Sequence, residues 1–181
     1  MRTLDFAVLG LVAREPATGY QLAARMKLPV AYYWAEGHSG IYPSLRRLTD
    51  AGWVTVTAEA GPGPHGKKVY AVTPAGRQAL GEWAVQPPVD PAARDELVLK
   101  VSALWAARPT AAIVMLAAEA RRWEANRAEL ADVVGRLEEV GDPVGSAGWF
   151  SLQTALRGRD YARGRRDWCR RIARGLSGDE G

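Results

Sequence analysis

Between Ser39 and Trp83 the hydrophobic pattern runs helix, strand, turn, strand, helix, and few architectures accept that order in so short a span. Ile41, Leu45 and Leu48 fall at i, i+4 and i+7, one apolar stripe of a helix that begins at Ser39. Ala51-Gly52 ends it, because glycine readily takes the left-handed conformation beyond a helix. Trp53-Val54-Thr55-Val56-Thr57 alternates as a strand does, and Lys67-Lys68-Val69-Tyr70-Ala71-Val72-Thr73 forms its partner. The intervening Gly61-Pro62-Gly63-Pro64-His65-Gly66 reads as a turn. Thr73-Pro74 joins a cap to a first-turn proline and opens a helix through Leu80 and Trp83.

Two helices precede this block. Leu4, Val8, Leu11 and Val12 mark the first, which fades at Arg14-Glu15-Pro16 because a proline disfavours helix in the residue before it. Thr18 caps the second, with Leu22, Ala23 and Met26 inward and Pro29 as its stop. Val30 to His38, including Tyr32-Tyr33-Trp34, reads as a loop or a short helical extension. Three helices, a hairpin and a further helix make a winged helix-turn-helix pattern. Gln86-Pro87-Pro88-Val89-Asp90-Pro91 then reads as a linker, and the remainder of the chain is helical. The expected fold is mainly α with a small β-hairpin: a winged helix-turn-helix domain at residues 1–88, then an all-helical dimerisation domain at 89–181.

The chain has 181 residues, a single cysteine (Cys169) and two histidines, His38 and His65, neither with a ligand or catalytic partner at suitable spacing. That inventory argues against an enzyme, a disulfide framework, a metal and any cofactor. No apolar run approaches the roughly 18 residues that span a bilayer. Met1 to Phe6 lacks the apolar stretch of a signal peptide, so the expected location is the cytoplasm, without membrane attachment. A net charge of +4 permits a nucleic-acid partner without requiring one, so placement of the charges decides.

If Ile41, Leu45 and Leu48 face the core, Ser39, Tyr42 and Arg46 point away from it. A helix fits the major groove, where its first turn meets base edges and phosphates. Ser39 and the free N–H groups of that turn suit a phosphate, and Pro43 is tolerated there. Tyr42 offers a phenolic donor and a flat face. Arg46 suits guanine or phosphate, and Arg47 a phosphate or a neighbouring carboxylate. His65, Lys67 and Lys68 sit at the hairpin tip, where phosphate contact competes with a solvated loop. Tyr20 suits packing or phosphate contact equally.

These residues carry a resemblance. Gly19-Tyr20-Gln21-Leu22, Gly40-Ile41-Tyr42-Pro43-Ser44-Leu45-Arg46-Arg47-Leu48, Ala51-Gly52-Trp53-Val54 and Lys68-Val69-Tyr70-Ala71-Val72-Thr73-Pro74-Ala75-Gly76-Arg77 resemble the PadR-family signature over roughly residues 4–84. The larger PadR subgroup also has an extended C-terminal helical domain, which the stretch from Glu96 onward is similar to. In place of that family's arginine-rich wing turn stands Pro64-His65-Gly66-Lys67-Lys68. The resemblance implies a transcriptional regulator, a repressor by family habit, binding double-stranded DNA as a homodimer on an inverted-repeat operator. It also implies release by a small aromatic effector. A winged-helix module for protein–protein contact is the alternative, although such modules usually lose the basic residues retained here at Arg46, Arg47, Lys67 and Lys68.

In the second half, Ile113, Leu116, Ala120, Trp123, Arg127, Leu130, Val134 and Leu137 are spaced alternately three and four apart. This is a heptad seam for a second chain and for the final helix of its own chain, which begins near Trp149, the two pairings being expected together. Ile113, Leu116, Trp123, Leu130, Val134 and Leu137 are the candidate dimerisation residues. Arg127 lies on the seam, within reach of Glu124 or an acid across the interface. Eight arginines between Arg157 and Arg174 face only Asp160 and Asp167, which reads first as a solvated helix face and second as an auxiliary DNA surface. Trp105, Trp123 and Trp149 are the candidates for an aromatic effector pocket, against the blander reading that they are core.

Overall fold

The structure, a computed structural model, describes residues 1–26, 40–59, 66–88 and 95–178. The chain forms two compact units, Met1–Val89 and Asp90–Gly181.

In the first unit the described elements are α1 (Thr3–Arg14), β1 (Ala17–Thr18), α2 (Gly19–Arg25), α3 (Ile41–Asp50), β2 (Val54–Glu59), β3 (Lys67–Val72) and α4 (Pro74–Ala84). The expected Ser39 start of α3, the Pro29 stop, the stretch to His38 and the turn carrying His65 lie outside the described residues. Leu4, Val8, Leu9 and Val12 of α1 pack on Leu22 of α2, Ile41, Leu45 and Leu48 of α3 and Val54 of β2. Phe6 stacks on Trp83 with centroids 4.8 Å apart and touches Trp53 at 5.7 Å, so these two tryptophans fasten α4 and β2 to α1.

The sheet has three antiparallel strands in the order β1-β3-β2, one more than the expected hairpin. Ala17 and Thr18 pair with Tyr70 and Val69. Two residues between a helix end and a helix cap show no periodicity of their own. Their extended conformation comes from Pro16 and the Thr18 cap, and the free edge of β3 supplies the partner. Thr18 and Gln21 form a reciprocal capping box on α2. At Gly76 of α4 a Cβ would come within 2.2 Å of the Trp53 carbonyl oxygen, so only glycine lets α4 approach the sheet this closely.

The second unit holds α5 (Glu96–Ser102), a single 3₁₀ turn (Leu104–Ala106), α6 (Pro109–Val140) and α7 (Ala147–Ser177). The helices α6 and α7, of 32 and 31 residues, pack against each other as a hairpin. Gly141 closes α6 in the left-handed conformation at φ 67°, and Ser146 caps α7. No helix among the described residues is long and apolar enough to cross a membrane.

Within the chain the heptad seam packs on the final helix, one of the partners expected for it. Leu116 and Leu130 are 0% exposed and Val134 2% within the single chain. Leu116 packs with Leu97 and Cys169, and Leu137 packs on the cluster of Val133, Val134 and Ala155. Trp123 meets Tyr161 of α7 edge-on at 5.6 Å, and Ile113 is half-buried. Arg127 pairs with Glu124 of its own helix, at 2.7 Å. A short connection raises the local concentration of α7 around the seam, which favours this intrachain pairing. The receiving face of α7 is made of small residues, Ser151, Ala155, Gly158, Ala162 and Cys169, into which the larger α6 side chains fit. Replacing Leu130 with alanine should therefore cost roughly 2–5 kcal/mol of stability, measured by urea unfolding. A loss below about 0.5 kcal/mol would show that the hairpin is not packed this way.

Candidate nucleic-acid interface

The α3 helix divides cleanly by face. Ile41, Ser44, Leu45 and Leu48 are buried, while Tyr42, Pro43 and Arg46 are exposed. Tyr42 is 60% exposed and Tyr20, at the start of α2, 81%. The Tyr42 ring lies over Gly19, where a Cβ would come within 2.6 Å of it, so the helix starts of α2 and α3 meet edge to edge. A shallow groove runs across this junction to the wing. Thr18, Gly19, Tyr20, Gln21, Tyr42 and Tyr70 line it, and Lys67 and Lys68 border it. Burial pushes the Tyr70 phenol above its usual range, and Tyr42 beside it adds to the rise, so Tyr70 remains a hydrogen-bond donor at neutral pH.

The cations of this surface differ in how firmly they are held. Arg46 is almost free, reaching Asp50 only at 3.9 Å with both side chains mostly in solvent. Lys67 meets Glu59 across the hairpin at 3.0 Å, an exposed pair worth about 0–1 kcal/mol and easily exchanged for a phosphate. Lys68, opposite Ala58, is exposed. Ser39 and His65 lie outside the described residues.

Arg47 stands apart. Its Nε donates to both carboxylate oxygens of Asp5 at 3.1 Å, and one terminal nitrogen reaches Asp5 at 2.5 Å and the Ser44 hydroxyl at 3.1 Å. Of the two partners expected for Arg47, the carboxylate is the one found. Releasing Arg47 would strand a fully buried carboxylate. Asp5 is the functional residue that sequence reading passed over. It shares the inward stripe of α1 with Val8 and Val12, three and seven residues on, and a carboxylate on an apolar stripe signals a buried cation partner.

Burial raises the Asp5 pKa, but the Arg47 hydrogen bonds, the Arg2 backbone N–H, the Ser44 hydroxyl and the Arg47 charge outweigh it and hold the group at about 2.

The three tryptophans expected for an effector pocket stand apart among the described residues. Trp105 is 88% exposed on the 3₁₀ turn. Trp123 lies fourteen residues into α6, about 21 Å from the start of that helix, packed by Tyr161 and the Arg122 and Arg165 guanidiniums. Trp149 contacts Phe150 at the opposite end of the hairpin, twelve residues or about 18 Å along α7 from Tyr161. The arginines of α7 are partly spent on internal pairs: Arg165 with Asp95, Arg166 with Glu124 and Asp167, and Arg163 with Asp160.

With this geometry in view, comparison with known proteins is direct. A model of the transcriptional regulator PadR-like family matches residues 8–82, and one of the virulence activator alpha C-terminal domain matches residues 93–177. The chain thus resembles the PadR-like family over residues 8–82 and, beyond it, the virulence activator alpha C-terminal domain over residues 93–177. It is 35% identical to the negative transcriptional regulator PadR of Bacillus subtilis over 101 residues, 55% of this chain and 56% of that protein. It is 34% identical to a probable transcriptional regulator of Mycobacterium tuberculosis over 84 residues, 46% and 44% of the two chains. The chain thus spans about half the length of the curated relatives it matches. Its fold is that of the Bacillus subtilis PadR in complex with operator DNA, with a TM-score of 0.86 at 23% identity over 97% of this chain and 99% of that one. The Vibrio cholerae virulence activator AphA superposes with a TM-score of 0.73 at 24% identity, over 97% and 99%. The same Bacillus protein in complex with p-coumaric acid gives 0.78 at 23% identity, over 96% and 95%.

The buried pair should show itself in pH dependence and in mutation. Asp5 has a lower pKa folded, about 2, than the ordinary 3.8, so its contribution is present above pH 4 and lost as pH falls from about 4 to 2. That contribution is about 2 kcal/mol, and it should be visible as a decline in urea midpoint over that window. Arg47→Ala, which leaves Asp5 unpaired, should cost roughly 3–5 kcal/mol at pH 7. Arg46→Ala should change stability by less than about 0.5 kcal/mol, and equal losses at the two positions would place Arg47 on the surface.

Proposed function

We propose that this chain is a sequence-specific DNA-binding transcriptional regulator that works as a homodimer on an inverted-repeat operator in the cytoplasm, and that it is not an enzyme. Residues 1–88 read the DNA and residues 89–181 join the two copies. The observation that carries the reading is the exposed first turn of α3. There Tyr42, Pro43 and Arg46 stand clear of the core, and Tyr20, Lys67 and Lys68 continue the same aromatic and basic surface.

The chemistry suits a duplex. The α3 helix enters the major groove, and Arg46, lacking a firm carboxylate partner, is free to take guanine O6 and N7 in a bidentate contact. Tyr20 and Tyr42 reach phosphates on one side of the groove. Lys68, and Lys67 after it leaves Glu59, reach the backbone on the other. Two-fold pairing of the copies places two such heads on inverted half-sites. Support for repression comes from the related negative regulator of Bacillus subtilis. Support for a small aromatic effector comes from the p-coumaric acid complex of a protein with this fold. Trp105, Trp123 and Trp149 do not meet within one chain, so such an effector site draws on a single aromatic cluster or on both copies.

Selection of genomic fragments by the purified protein, followed by footprinting, tests the reading. The expected result is a protected site with two symmetric halves separated by about one helical turn or a multiple of it. No enrichment over random fragments would overturn it. On the selected site, Arg46→Ala should weaken specific binding by roughly 1–3 kcal/mol and relax preference at one base pair per half-site. Lys68→Ala should weaken binding to all sequences alike and lower the slope of log affinity against log salt by about one for each phosphate no longer neutralised. Unchanged affinity in both variants would remove these residues from the interface.

A further inference from the structure

On one flank of the α6–α7 hairpin an open groove of about 520 Å³ lies between the two helices. Ala117 and Ala120 of α6 and Ala173 of α7 form its floor, with Arg121 of α6 on one side and Arg170 and Arg174 of α7 on the other. The Arg166–Glu124 pair, at 2.6 Å, sets the register. Three residues back along α6 and four residues on along α7 bring Arg121 and Arg170 opposite each other. Asp167 is the one acid of the lining, and Arg166 already holds it at 2.7 Å. Arg121, Arg170 and Arg174 are all exposed, and none of them forms an ion pair among the described residues. Arg170 feels only the charge of the occupied Asp167. By contrast, the preceding Arg165 and Arg166 are both paired with carboxylates. Like charges one turn apart, as at Arg170 and Arg174, are unfavourable on a bare helix, and Arg121 adds a third from across the groove.

We propose that this groove binds a small organic phosphate ester, with the phosphate held by Arg121, Arg170 and Arg174 and the flat apolar body laid on the alanine floor. Charge complementarity selects the ligand. Three guanidiniums call for more than one negative charge, and a phosphate monoester carries roughly 1.5–2 at neutral pH on three acceptor oxygens. A planar guanidinium fork matches such oxygens in bidentate fashion, which a lysine would not do. The volume falls within the roughly 300–1,000 Å³ of small-molecule sites. Alanines keep the floor smooth, so a ring can approach both helix backbones. A concave groove also suits a small molecule better than a duplex, whose backbone would run along a ridge. A bound ester ties the last turns of α7 to α6, so occupancy stabilises the open end of the hairpin. All of these residues belong to the second unit, and binding there is measurable without DNA.

Isothermal titration calorimetry of the full chain tests the site, with two esters of different body, adenosine 5′-monophosphate and phenyl phosphate, against adenosine, phenol and inorganic phosphate. At least one ester should bind about tenfold more tightly than its unphosphorylated counterpart and than inorganic phosphate, because only the ester engages both the arginines and the floor. Arg121→Ala and Arg170→Ala should each weaken that ester by about ten- to a hundredfold, the loss of a charge-assisted contact. Arg171→Ala, at an exposed position outside the groove, should leave its affinity unchanged, and circular dichroism should show wild-type helicity in all three variants. Equal losses in the Arg170 and Arg171 variants would reduce the effect to general attraction and overturn the site. So would inorganic phosphate binding as tightly as either ester, or no binding of either ester at millimolar concentration. Random-sequence duplex weakened by Arg170→Ala, with neither ester bound, would overturn it in favour of a nucleic-acid surface.

Discussion

The pairing of Asp5 with Arg47 and Ser44 ties the first turn of α1 to the middle of α3, and the orientation of the exposed side chains of α3 depends on it. Apolar contacts among Val8, Leu45 and Leu48 hold α3 in the core, but such contacts are non-directional and tolerate rotation about the helix axis. A bidentate guanidinium on a buried carboxylate does not. Arg46 follows Ser44 by two residues and precedes Arg47 by one. Once Arg47 and Ser44 are fixed inward, the outward direction of Arg46 and Tyr42 is fixed with them. Leu4 adds a steric stop, since a Cβ on Gly40 would come within 2.3 Å of its side chain.

Adjacent arginines of identical chemistry are therefore placed differently, Arg47 on a buried carboxylate and Arg46 in solvent, and the sequence left both partners of Arg47 open. What distinguishes them is a partner 42 residues away in the chain, brought near by the packing of α1 on α3. Local signals, by contrast, were legible. The Thr18 and Thr73 caps, the Ala51-Gly52 stop and the alternation from Val54 placed the elements of the winged unit within a few residues, because each rests on neighbours in sequence. The third strand escaped because Ala17 and Thr18 carry no period, and their pairing with β3 is wholly tertiary.

The C-terminal unit shows a different limit. The three-and-four spacing of Leu116, Leu130 and Val134 marked a seam and left open whether the final helix, a second chain or both would cover it. Knobs of this kind fit any facing helix with suitable holes, and α7 offers them in Ala155, Gly158 and Ala162, residues too small to register in a search for apolar stripes. A hairpin of nearly equal helices then meets the demand internally. Trp105, Trp123 and Trp149 illustrate a related limit. Tryptophans spaced along two antiparallel helices are close in composition yet far apart in space.

One rule connects the two units. Cations that hold structure here have a carboxylate at hydrogen-bond distance and little exposure, as Arg47 has in Asp5 and Arg165 in Asp95. Asp95 sits below its usual carboxylate range chiefly because the Arg165 hydrogen bond outweighs desolvation. Other cations have loose contacts or none among the described residues, as at Arg46 and Lys68. The difference follows from desolvation. A buried guanidinium without its anion is too costly to wait for a ligand, whereas an exposed one gives up only water and a weak neighbour when phosphate or a second chain arrives. On that ground the free charges of a chain like this one, more than its total charge of +4, mark the surfaces it turns toward other molecules.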